Sequence, residues 1–230
     1  MSLNLNAHSH TLRTFVRRQG RITPAQRRAL LAHRDFLIDD DHGGLLRARK
    51  IFGRQAPLWV EIGFGNGVTL AALAANKPDH DFLGIEVHKP GVGRLLLAME
   101  KQQLRNIRIA EADAMEFVER RIAETSVSRI LILFPDPWPK QRQRKRRLLQ
   151  PTFARTLAHK LVPGGVLHLA TDWPEYAGQM LAVLEDIPTL RNCSGRGQYA
   201  RAPDYRIPTR FELRGLRLGH PVRDLLFERI

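Results

Sequence analysis

A carboxylate stands two residues ahead of alternating glycines in Glu61-Ile62-Gly63-Phe64-Gly65-Asn66-Gly67. Glycines at this spacing let backbone approach a ligand closely. A dinucleotide fingerprint would carry its third glycine at position 68, which is Val68, and an acid at position 61 would repel a pyrophosphate. The same acid can face a cation. The stretch therefore fits a nucleoside with a positively charged amino-acid end, S-adenosylmethionine, better than a nicotinamide dinucleotide. Glu86 ends the next apolar segment, where a carboxylate can accept hydrogen bonds from both ribose hydroxyls, a device that dinucleotide enzymes share. Asp113 ends a third segment, placed either to accept from an adenine amino group or to cap the helix starting at Ala114. The cofactor-binding set expected here is Glu61, Gly63, Gly65, Glu86 and Asp113, converging on the crevice that open α/β sheets offer to ligands.

A second constellation follows in Phe134-Pro135-Asp136-Pro137-Trp138-Pro139-Lys140, three prolines around one carboxylate and one indole. Such rigidity suits a group that must be positioned. Six of the eight residues 140–147 are basic: Lys140, Arg142, Arg144, Lys145, Arg146 and Arg147. A run of this kind is ordinarily a solvated face, yet phosphates bound at this sheet edge would bring a nucleotide to the cofactor. Trp138 is placed either to stack on a base or to pack beneath its loop. Further on, Asp172 sits among Trp173 and Tyr176 and could instead cap the next helix. Arg206-Ile207-Pro208-Thr209-Arg210-Phe211-Glu212 combines a turn, a hydroxyl, cations and a carboxylate.

The elements that must hold these residues alternate from Pro57 onward. Strands are expected at 58–62, 82–87, 107–110, 129–134 and 166–170, the last after a tight turn at Pro163-Gly164-Gly165. Helices are expected at 68–75, 92–103, 115–123, 148–161 and 175–184, and two more strands at 189–193 and 211–218. This pattern predicts an α/β, Rossmann-like fold with a mainly parallel seven-stranded sheet and helices on both faces. Residues 1–50 are expected to form a basic, partly flexible N-terminal arm, and 51–230 the catalytic domain. The first 34 residues hold seven arginines and no acid, with Thr23-Pro24 opening a short helix at 26–32.

Lys plus Arg number 37 against 23 Asp plus Glu, a formal charge of +14. The excess points to a nucleic acid, and no basic amphipathic anchor argues for a membrane. A single cysteine, Cys193, excludes an intramolecular disulfide and a Cys-rich zinc site and fits a cytoplasmic protein. No apolar run approaches the roughly 20 residues of a membrane span. No metal is expected, because His8 and His10 have no further ligand at a matching spacing.

From about Trp59 to Phe211 the chain resembles the bacterial tRNA (guanine-N7-)-methyltransferases. Glu-Ile-Gly-Phe-Gly at 61–65, Gly-Ile-Glu-Val-His at 84–88, Pro-Asp-Pro-Trp-Pro-Lys at 135–140, Thr-Asp-Trp-Pro-Glu-Tyr at 171–176 and Pro-Thr-Arg-Phe-Glu at 208–212 carry the likeness. The third and fourth together are its most specific part. The resemblance implies a class I methyltransferase fold, S-adenosylmethionine as cofactor and tRNA as partner. It also implies methylation of a variable-loop guanine, conventionally position 46. Asp136 would be catalytic and would also contact the cofactor, with Glu61, Glu86 and Asp113. Lys140, Asp172 and Thr209, Arg210, Phe211 and Glu212 would bind substrate. Arg142, Arg144, Lys145, Arg146 and Arg147 would contact RNA. Arg210 stands where the family usually has lysine, which keeps the charge and alters the contact geometry. Asp136 and Asp172 are expected to accept from guanine N1 and its exocyclic amino group, selecting guanine over adenine. Rival readings are a non-catalytic RNA-binding protein on the same scaffold and a methyltransferase of another substrate. Binding of S-adenosylmethionine separates the first of these.

Overall fold

The structure, a computed structural model, describes residues 20–38, 44–207, 212, 219 and 221–230. In chain order its elements are α1 (Pro24–Ala32), β1 (Leu37–Ile38), α2 (Ala48–Phe52), β2 (Leu58–Ile62), α3 (Val68–Asn76), β3 (Asp81–Ile85), α4 (Lys89–Gln102), β4 (Ile107–Ala110) and α5 (Ala114–Arg121). There follow β5 (Val127–Leu133), α6 (Pro151–Lys160), β6 (Leu161–Thr171), α7 (Pro174–Glu185), β7 (Leu190–Asn192) and β8 (Arg223–Arg229). Short 3-10 turns occupy Arg34–Phe36 and Gln141–Arg146.

β2 and β3 are buried along their whole length, so both sheet faces need cover. Alternation along the strands divides the core. Val60, Ile62, Leu83, Ile85, Ile130 and Ile132 pack under Phe117, Phe153, Leu157, Tyr176 and Met180 of α5, α6 and α7. Trp59, Phe82 and Leu131 face the other way, under Leu30, Leu70, Leu73, Leu95 and Leu96 of α1, α3 and α4. Each large apolar side chain so buried stabilises the fold by roughly 1.5–3 kcal/mol.

Strand order is β1-β4-β3-β2-β5-β6-β8-β7, with every pair parallel except those made by β8. The chain leaves β2 toward β3 and β4 on one side and later places β5 and β6 on the other. The carboxyl ends of β2 and β5 therefore flank the switch-point crevice where open sheets bind ligands.

Two sequence expectations change. The two-residue β1, pairing with β4, makes eight strands. The closing antiparallel strand is β8, Arg-Asp-Leu-Leu-Phe-Glu-Arg, which lacks the alternation that marks a strand in sequence; the strand expected at 211–218 lies outside the described residues apart from Glu212. Ahead of the boundary drawn at residue 50, α1 packs on α4, with the Gln26 amide donating to the Pro90 carbonyl and Arg28 bidentate to Glu100. Thr23 and Gln26 close a reciprocal capping box at the start of α1. Pro163-Gly164-Gly165 does turn, as an outward bulge within β6, where Leu161 pairs with Val127 and Val166 with Arg129.

Beside the crevice, the sheet face over β5, β6 and β8 carries polar groups. His168 and Asp224 are buried and bonded at 2.8 Å, and the Tyr205 hydroxyl lies 3.0 Å from His168 Nδ1 and accepts from Arg129. Burial drives the His168 pKa down against the opposing pull of Asp224. Arg129 lies over the rings of both Trp59 and Tyr205. This network fixes the strand ends and the segment through Tyr205.

Candidate active site

From β2 the backbone turns through Gly63, Gly65 and Gly67, with φ of 72°, 58° and 74°. No atom lies within 4 Å of where a Cβ on Gly63 or Gly65 would stand, so their backbone opens on the crevice. Behind them α4 comes close enough that a Cβ on Gly91 would meet the Gly65 carbonyl oxygen at 2.0 Å.

Glu61 is 3% exposed, and its Oε2 has no hydrogen-bond partner among the described residues. Burial, and secondarily the charge of Glu86, push its carboxyl up to about 8. Glu86 is fixed instead: Oε2 accepts from the Gly65 N–H at 2.8 Å, and Oε1 from Val87 and His88 at 2.8 and 2.9 Å. Asp113 caps α5, its Oδ1 accepting from the Met115 N–H at 2.9 Å, so the capping geometry allowed by the sequence is present. A buried carboxyl with no cation paired to it among the described residues, beside two bare glycines, suits the ammonium end of S-adenosylmethionine and a nucleoside lying against the backbone. Among the described residues no cluster of His, Cys, Asp and Glu could hold a metal ion.

Across the switch point, the Phe134 N–H donates to the Ala170 carbonyl at 2.8 Å, tying the end of β5 to β6. Phe134 and Trp138 both have positive φ, 54° and 43°, which costs about 1–3 kcal/mol per non-glycine residue unless the surroundings enforce it. Asp136 between them is exposed, as is Asp172 just beyond β6. The helix cap considered for Asp172 is not made, since α7 starts from Trp173 without a side-chain cap. Trp138 packs beneath its loop with the Arg146 guanidinium 4.1 Å over its ring.

The basic run winds as a 3-10 turn, in which residues three apart share a row. Lys140 and the row of Arg142 and Lys145 are exposed to solvent. Arg144 and Arg147 share another row and both reach Glu175, at 3.3 and 2.8 Å. Arg147, expected to contact RNA, has a side chain that is 0% exposed. Its Nε–H donates to the Pro137 carbonyl at 2.8 Å, its two terminal nitrogens donate to Glu175 at 2.9 and 2.8 Å, and one of them also donates to Gln179. Nothing in the spacing of the run marks Arg147 for the interior; the signal is its position directly before Leu148-Leu149, where the chain enters the core.

Glu212 is buried, its two oxygens accepting from Arg206 at 2.6 Å each, while Arg206 Nε is in charge contact with Asp224 at 2.7 Å without an aligned hydrogen bond. Thr209, Arg210 and Phe211 lie outside the described residues. Sequence reasoning missed Glu175, Arg206 and His168 as partners of these segments.

Residues 55–225 match a family model described as "Putative methyltransferase". A tRNA (guanine-N(7)-)-methyltransferase of Methylococcus capsulatus is 51% identical over 95% of this chain and 94% of its own length. One of Alkalilimnicola ehrlichii is 50% identical over 95% and 92%. The chain belongs to the tRNA (guanine-N7-)-methyltransferases. Solved structures agree on the fold: the 16S rRNA methyltransferase KamB superposes with a TM-score of 0.56 at 14% identity, covering 84% of this chain and 99% of its own. A SAM-dependent methyltransferase from Aquifex aeolicus gives 0.53 at 14% identity over 89% and 98%. The methyl donor of this methyltransferase is S-adenosylmethionine. No helix among the described residues is long and apolar enough to cross a membrane.

Proposed function

We propose that this methyltransferase transfers a methyl group to N7 of a guanosine in the tRNA variable loop, at the position conventionally numbered 46, in the cytoplasm. The observation that carries the reading is the juxtaposition at the switch point. Glu61, buried and with its Oε2 unpartnered among the described residues, lies near the end of β2, while the exposed Asp136 and Asp172 follow the neighbouring strands β5 and β6.

Glu61 would hold the ammonium of the donor, Glu86 its ribose hydroxyls and Asp113 its adenine amino group, with Gly63 and Gly65 letting the nucleoside lie on the backbone. The bound donor supplies an electrophilic methyl on a sulfonium. Guanine N7 carries a free lone pair and no proton, so the protein needs no general base; it needs position. Asp136 and Asp172 accept from N1 and the exocyclic amino group, which orients the base and rejects adenine. As N7 becomes methylated the purine acquires positive charge, and carboxylates hydrogen-bonded to its far edge stabilise that charge. Lys140, Arg142 and Lys145 present exposed cations to tRNA phosphates. By the family resemblance, Thr209, Arg210, Phe211 and Glu212 would bind substrate.

Incubation with labelled S-adenosylmethionine and bulk unmodified tRNA, followed by mapping of the methylated base, is expected to give 7-methylguanosine in the variable loop. Tight cofactor binding with the methyl on another atom or another RNA would overturn the assignment.

A further inference from the structure

The prolines around Asp136 do not by themselves hold its loop. Two of its non-glycine residues, Phe134 and Trp138, adopt left-handed backbone conformations, so bonds from elsewhere must enforce that shape. One anchor is the Phe134 N–H on β6. The other is Arg147, whose Nε–H reaches the carbonyl of Pro137, the residue directly after Asp136. A guanidinium is a planar fork, so its remaining nitrogens fix where its Nε points. Here they are held by both oxygens of Glu175 and by Gln179, on successive turns of α7, while the plane lies 4.8 Å over Tyr176. The Tyr176 hydroxyl in turn accepts from the Leu149 N–H at 3.1 Å, tying down the residues that follow Arg147. The Arg147 guanidinium also draws the Glu175 carboxyl below the usual range.

We infer that Arg147 is a positioning residue for the methyl transfer: anchored on α7 by Glu175 and Gln179, it sets the Pro137–Trp138 peptide and hence where the adjoining Asp136 carboxylate meets the base. The basic run then has two functions on adjacent rows, polyanion contact through Arg142 and Lys145 and loop positioning through Arg147. The inference rests on the reading of Asp136 as a base-contacting group.

The test compares Arg147→Lys, Glu175→Gln and Asp136→Asn in the full-length enzyme with S-adenosylmethionine and unmodified tRNA. Lysine keeps the charge and loses the fork. Arg147→Lys is expected to lower kcat about 10- to 100-fold, the scale of a small misplacement of a reacting group. KM for tRNA, the salt dependence of tRNA binding and the Kd of the donor should stay at wild-type values. Glu175→Gln should lower kcat in the same direction, and the double variant should lose less than the product of the two. A flattened salt dependence in Arg147→Lys, or a wild-type kcat, overturns the inference. Should Arg147→Lys not fold, Glu175→Gln decides alone: an unchanged kcat refutes. If Asp136→Asn itself retains full rate, the reading of the site fails; if only Arg147→Lys retains it, the failure is confined to this inference.

Discussion

Glu86 takes its three hydrogen bonds from the N–H groups of Gly65, Val87 and His88, and Asp113 takes its one from Met115. Three of the four donors are near neighbours in the chain, and the fourth lies in the turn after the adjoining strand. Asp136, across the switch point, sits in a loop whose shape depends on a guanidinium 10 residues beyond Pro137 and on a carboxylate 28 residues beyond that. The half proposed to hold the cofactor is thus preorganised by local backbone, and the half proposed to hold the substrate by long side chains reaching between elements. Local backbone donors are fixed once the strand-turn-helix unit forms. A clamp of side chains can be exchanged without touching the glycine turn after β2.

The sharpest break of that comparison is Asp136→Asn. Loss of a carboxylate that stabilises developing charge should lower kcat roughly 10²- to 10³-fold and erode the preference for guanine over adenine. Single-turnover rates on transcripts carrying either base at the target position measure both effects. A wild-type rate would leave Asp136 as a mere turn residue.

On the cofactor side, Glu61→Gln is expected to weaken S-adenosylmethionine binding about 10- to 100-fold, since the lost ion pair is buried. It also carries a pH signature. The folded carboxyl keeps its proton to about 8, whereas the unfolded chain releases it near 4.5. Between those values the folded state binds more protons, so stability contributed by this group is complete below 4.5 and declines as pH rises toward 8, by at most about 1.4 kcal/mol per unit. Urea midpoints of the cofactor-free protein across that window should fall for the wild type and lose this component in Glu61→Gln. Parallel curves would mean that Glu61 is not buried as described.

The contrast also explains what could be read from the sequence. Acids at strand ends and glycines in the first turn are local features, and the strand-helix alternation that places them is a property of consecutive residues, so this part of the fold was legible. β8 was not, because its Asp224 faces inward toward His168 and Arg206 and its apolar residues are consecutive. The division of the basic run was hidden for the same reason. Arg142 and Arg147 are the same residue type five positions apart, and only the fold reveals that one meets solvent and the other Glu175.

That division gives the smallest and most diagnostic effect. Arg142→Ala with Lys145→Ala removes two exposed cations from one row and leaves Arg144, Arg146 and Arg147 on their partners. If this row meets phosphates, the slope of log K against log salt for tRNA binding should fall by about 1 per cation, with KM for tRNA rising and kcat at saturation preserved. An unchanged slope would mean that the polyanion is tracked elsewhere, and kcat falling with KM unchanged would mean that the two rows have been assigned the wrong way round. The same measurement on Arg147→Lys should give the opposite split. Only the pair of results establishes that docking and positioning are separate functions carried by one eight-residue stretch.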